Sequence, residues 1–114
     1  MKWHILEDCS NSPKNKMLVD WTVALVESNE PMPFVTDDSL LTFKGEETLL
    51  KDFNILGEME EIALEKAITH GRDGALLGSV IRDGKTYPFV LFFEFSLGKQ
   101  PKIKTLKCIV ETIY

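Results

Sequence analysis

The chain has 114 residues, 44% of them hydrophobic and 27% charged, with 18 Asp and Glu against 13 Lys and Arg for a net charge of −5. That length argues against two domains and gives enough surface for one core without disulfide or metal staples, so residues 1–114 read as a single domain. The acidic balance argues against a nucleic-acid partner, which needs clustered basic surface, and no apolar run reaches the ~18 residues of a membrane span.

The opening MKWHILEDCS has no apolar stretch of the signal-peptide kind and carries Glu7 and Asp8. Cys9 and Cys108 lie near opposite ends of the chain, outside any CxxC. Two reduced thiols in a cytoplasmic protein are the expectation. Trp3 to Glu7 forms a short helix or strand capping the domain; the residues do not choose between them.

Ser12 and Pro13 then suit the N-cap and first position of a helix. Met17, Leu18, Trp21, Ala24 and Leu25 fall on one arc, and Val19, Val23 and Val26 on another. The remaining polar strip of Lys16, Asp20 and Glu27 is narrow, which predicts a helix covered over most of its surface. Pro31 and Pro33 close it. Ser39 to Phe43 reads as a short strand. Gly45 then opens a second predicted helix, with Glu46 and Glu47 in its first turn, an apolar face of Leu49, Leu50, Phe53 and Leu56, and a stop at Gly57.

Beyond Gly57 the period changes to two. Glu60 to His70 alternates with Ile62, Leu64 and Ile68 on one side. HGRDG is a turn, Ala75 to Arg82 a strand, and the Asp-Gly of RDGK a tight hairpin. Lys85 to Leu97 and Ile103 to Tyr114 are the last strands, giving an antiparallel meander after a helical start, an α+β fold.

Strands this long in so small a protein must curl, aided by bulges, and a curled sheet with helices across its hollow makes a cone. YPFVLFFEF is apolar on both faces: Tyr87, Phe89, Leu91, Phe93 and Phe95 point one way, Val90, Phe92 and Glu94 the other. A sheet with one wet face would alternate. The outer face therefore wants cover, most simply from the same face of a second subunit.

The residues LVDWTVALVES, DDSLLTFKGEETLLKDF, ITHGRDGALLGSV, FVLFFEF and IKTLKCIVETI, in that order, resemble the nuclear transport factor two-like superfamily, and within it small SnoaL-like bacterial proteins with a cystatin-like cone. The resemblance runs from about residue 12 to residue 114. It implies a strongly curved antiparallel sheet wrapped by N-terminal helices, an internal pocket at the wide end, and dimers joined through the sheet. Members of that superfamily include isomerases, dehydratases and cyclases as well as binding modules, so fold alone does not give function.

Glu94 is the candidate catalytic residue. It is the single carboxylate of its apolar strand, and enclosure would raise its pKa toward that of a general acid or base. The competing reading puts it on the outer face near Lys107. Trp21, Phe34, Leu50, Phe53 and Phe92 are the expected pocket lining. Asp20 reads as part of a solvated helix strip, His70 as an exposed turn residue, and Arg72 and Arg82 as solubilising charges. His4 and His70 are too isolated for a metal site, and the glycines match no phosphate or dinucleotide loop, so no metal or cofactor is implied. The expectation is a dimeric protein binding a small apolar organic molecule in a conical pocket. The alternatives are an isomerase, dehydratase or cyclase acting through Glu94, and a partner-binding dimer with a filled core.

Overall fold

The computed structural model describes residues 2–7, 11–28, 32–52 and 59–110, in which one helix crosses the hollow of a bent seven-stranded sheet. The strands are β1 (Lys2–Ile5), β2 (Leu40–Phe43), β3 (Glu46–Leu49), β4 (Glu61–His70), β5 (Asp73–Arg82), β6 (Lys85–Phe95) and β7 (Ile103–Val110), and the helix α1 is Pro13–Glu27. Their order across the sheet is β1-β4-β5-β6-β7-β2-β3. The antiparallel meander β4 to β7 forms the centre as the alternation predicts. Two short strands join it in parallel, β1 on β4 and β2 on β7.

The helix starts as its residues dictate. Ser12 is extended and its hydroxyl accepts the Asn15 N–H, with Pro13 at the first turn. It stops at Glu27, ahead of the prolines, because Ser28 turns left-handed at φ 55°. Leu18, Val19, Trp21, Thr22 and Leu25 are buried against the sheet, while Lys16, Asp20 and Glu27 stay exposed. Polar clamps fix its two ends. The Trp3 indole N–H donates to Glu27 Oε1 at 2.7 Å, and Thr69 Oγ1 donates to the Asn15 side-chain oxygen at 2.9 Å.

The second predicted helix is a correction. Residues 46–49 are strand β3, followed by a single 3₁₀ turn at Leu50–Asp52, and 53–58 lie outside the described residues. Lys44 and Gly45 take φ of 53° and 78°, and two consecutive left-handed residues make a hairpin turn that reverses the chain before a helix can start. Asp83 and Gly84 do the same at the β5–β6 turn, as RDGK predicts.

A second correction concerns β4. Pairing with β5 slips between Leu64 and Lys66, a bulge that reverses the alternation beyond it. Ile62 and Leu64 point inward as expected, but Ala67 follows them into the core and Ile68 turns outward. Another slip, opposite Glu94/Phe95, leaves Lys104 as an extra residue in β7 and bends that strand. Between the two bends Gly78 lets the ring of Phe89 lie on the strand, where a β-carbon would sit 2.7 Å from Phe89 Cζ. The radius of gyration is 13.4 Å, close to the ~13 Å expected for a domain of about this length.

Candidate functional site

Residues paired across the sheet share a face. The inward rows run Thr69–Gly74–Phe93–Leu106–Leu41 and Ala67–Leu76–Leu91–Cys108–Phe43. The Trp21 side chain of α1 stands above them. Its ring stacks on Phe34 (centroids 5.3 Å apart), meets Phe95 edge-on at 5.8 Å and lies 6.2 Å from Phe93. Phe34 is held there because Ile103 donates its N–H to the Phe34 carbonyl at 2.8 Å, beside the Ser39 hydroxyl, which donates to the Ile103 carbonyl at 2.6 Å.

Three of the expected lining residues, Trp21, Phe34 and Leu50, thus face the hollow of the sheet. Trp21 (7% exposed) and Leu50 (2%) belong to its packed core, with Phe34 half-buried against them. Phe53 lies outside the described residues. Phe92 is a correction: it points away from α1 and is 46% exposed.

Glu94 shares that outward face, in register with Asp73 on one side and Thr105 on the other, and is exposed. The expected general acid or base would stand inside a pocket, and Glu94 stands on the exposed outward face. Lys107 sits on the same face opposite Phe92, one pair along. The sequence could not separate these faces because β6 is apolar on both.

The other charged candidates take the positions expected of surface groups. Asp20 pairs with Lys16 at 3.0 Å along the exposed side of α1, and His4 meets Glu61 at 3.0 Å where β1 joins β4. His70 is exposed at the end of β4. No cluster of three metal-ligating side chains occurs among the described residues. Among these residues no helix is long and apolar enough to cross a membrane.

A cleft of about 300 Å³ lies elsewhere, lined by residues 42–45 and 107–110. It forms because β7 outruns β2. Their last pair is Phe43 with Cys108, after which the Lys44–Gly45 turn carries the chain away into β3 and leaves a notch beside the end of β7. FKGE suits this turn as well as it suits the predicted helix start.

Cys108 forms part of the cleft wall. It is buried, and burial pushes its thiol up from 9.0 to about 11; Cys9 lies outside the described residues. A raised thiol stabilises the fold while neutral, fully below pH 9, and the contribution is lost as pH climbs through 11. Between those limits the wild type should lose on the order of 2–3 kcal/mol that Cys108→Ala does not lose. Urea unfolding of both proteins at pH 8 and pH 11 measures the difference, and parallel declines would rule the effect out.

No protein-family model matches the sequence, and no curated protein sequence matches it significantly. Solved structures do match. An NTF2-like protein of unknown function from Cytophaga hutchinsonii is 15% identical, with a TM-score of 0.62 over 90% of this chain and 93% of its own. Another from Burkholderia xenovorans is 14% identical, with a TM-score of 0.67 over 87% and 83%. A de novo designed protein with a curved β-sheet is 16% identical, with a TM-score of 0.64 over 84% and 86%. At identities of 14–16% these matches, which cover most of the chain, speak for the fold alone, and the protein has the nuclear transport factor 2-like (NTF2-like) fold.

Proposed function

We propose that the protein works as a homodimeric binding module, joined through the outward face of its sheet. The observation that carries this reading is the apolar surface there. Ile68 (50% exposed), Phe92, Leu77 (36%) and Ile109 (46%) fall on two adjacent rows, Ile68–Ala75–Phe92–Lys107 and Lys66–Leu77–Val90–Ile109. A contiguous exposed apolar patch of this kind marks an interaction surface. Its charges favour a second copy as the occupant. Lys66 and Lys107 stand at opposite corners, with Asp73 and Glu94 along one margin, so the face carries both signs and can complement itself about a two-fold axis.

Light scattering at micromolar concentration tests the reading. The expected particle has twice the 13.0 kDa of the chain. Phe92→Glu should give a monomer with unchanged circular dichroism, since the side chain supports no inward packing. A wild-type particle of single-chain mass refutes the dimer.

A small-molecule role is the second reading, and the cleft beside β7 favours it. Among the described residues Trp21 packs on Phe34 and Phe95 in the hollow, whereas the notch between the β2–β3 turn and β7 offers open space for a ligand.

A further inference from the structure

We propose that the cleft between the Lys44–Gly45 turn and the end of β7 binds a small monocarboxylate with a short apolar chain. The walls supply the apolar half. Phe43, Ile109 and Val110 line it together with Cys108, and its volume of about 300 Å³ equals the share of about ten liquid waters. Two ammonium groups supply the other half. Lys44 and Lys107 both line the cleft, and neither has an ion-pair partner among the described residues. In a chain of net charge −5 that is a local exception.

The Lys44 head is already placed. Its Nζ lies 5.4 Å from the centroid of the Phe43 ring, a cation–π contact that keeps the charge beside the apolar wall. Thr42, half-buried at the mouth, adds a hydroxyl donor. The nearest acidic register positions, Glu46 and Glu47, pair with Phe43 and Thr42 from β3, on the far side of β2 from β7. Cys108, neutral at physiological pH, adds no opposing charge. An anionic head beside the Lys44 ammonium, on the side of the cleft that Lys107 borders, with its tail along the Phe43 wall, satisfies both halves.

Sodium hexanoate titrated into ¹⁵N-labelled protein tests this, with 1-hexanol and inorganic phosphate as comparison probes. Hexanoate should produce saturable shifts confined to residues 42–45 and 107–110. Hexanol should bind several-fold more weakly, as should phosphate, which lacks the tail. Lys44→Asn, which keeps a residue tolerant of left-handed backbone, and Lys107→Gln should each weaken hexanoate about three- to fivefold, the range of an exposed charge pair. Lys44 is exposed on the turn, so the melting temperature of Lys44→Asn should hold. Equal binding of hexanol would make the cleft merely apolar and overturn the proposal, as would phosphate binding as well as hexanoate, diffuse shifts, or no effect of either substitution. Lys107 and Ile109 also belong to the outward sheet face, so the arm that separates the cleft from the dimer is Lys44→Asn, which lies on the turn: weaker hexanoate binding at unchanged particle mass by light scattering counts for the cleft alone.

Discussion

Gly78→Ala should lower the melting temperature on the order of 10 °C or more, whereas Gly74→Ala, four residues away on the same face of the same strand, should cost far less. Both glycines sit on inward positions of β5, and neither has a positive φ, so conformational freedom does not distinguish them. Their neighbours do. A β-carbon on Gly78 would collide with the backbone carbonyl of Ala63 and stand 2.7 Å and 2.9 Å from two atoms of the Phe89 ring. The carbonyl belongs to β4 just before its bulge, and the ring is 2% exposed in the core, so neither has room to retreat. Overpacking costs 1–3 kcal/mol in ordinary cores, and a backbone collision belongs at the top of that range; about 3 kcal/mol corresponds to a shift of 10–20 °C in a domain of this size. On Gly74 the three atoms nearest the added methyl all belong to the Leu18 side chain, the first at 2.6 Å from Cδ1, and a leucine tip can rotate. Thermal melts of the two variants give the comparison. Equal shifts would mean that the close approach at Gly78 does not constrain the sheet.

Truncating Trp21 carries the other large effect. Trp21→Ala should destabilise the protein by about 3–5 kcal/mol, the range for large aromatic residues in packed cores, while Trp21→Phe should cost less than half of that. Alanine removes a stack on Phe34 and contacts with Phe93 and Phe95 at once. It also opens a void that α1, clamped at Thr69 and Trp3, cannot close by sliding inward. Phenylalanine keeps a ring in the stack. Urea denaturation followed by far-UV circular dichroism measures both. A tryptophan serving as a ligand platform in an open pocket would instead tolerate alanine with little loss of stability, and that result would reopen the hollow as a binding site.

The sequence made the α+β architecture legible through features whose chemistry is local. Ser12 before Pro13 is an N-cap wherever it occurs before an apolar run, and the Asp83–Gly84 pair makes a left-handed turn with few competitors. The long alternation of β6 correctly separated Phe89, Leu91, Phe93 and Phe95 from Val90, Phe92 and Glu94. It could not say which set faced α1, because both are apolar and only the neighbouring strands decide. FKGE misled because glutamates after a glycine suit a helix start and a hairpin equally, and pairing of β2 with β7, 65 positions along at Leu40 and Thr105, settles the choice. The Leu64/Lys66 bulge was invisible for a related reason. A bulge is a property of two strands, and EIALEKAITH alone reads as one unbroken alternation. The cleft depends on a difference in strand length between β2 and β7, so no single segment could announce it.

The two outermost strands carry a consequence for solubility. A sheet edge exposes unpaired amide and carbonyl groups that can template addition of another chain. Here the edges are the four-residue strands β1 and β3, which bear Lys2 and His4 at one side and Glu46 and Glu47 at the other. Where β4 runs on past β1, the exposed length begins at the bulge and carries Lys66 and His70. The long apolar strands that could propagate a cross-β stack are held in the interior of the sheet. Edge-to-edge growth into fibres is thereby disfavoured at both margins of the described sheet, and the two-fold contact proposed through its face would close on itself after one partner.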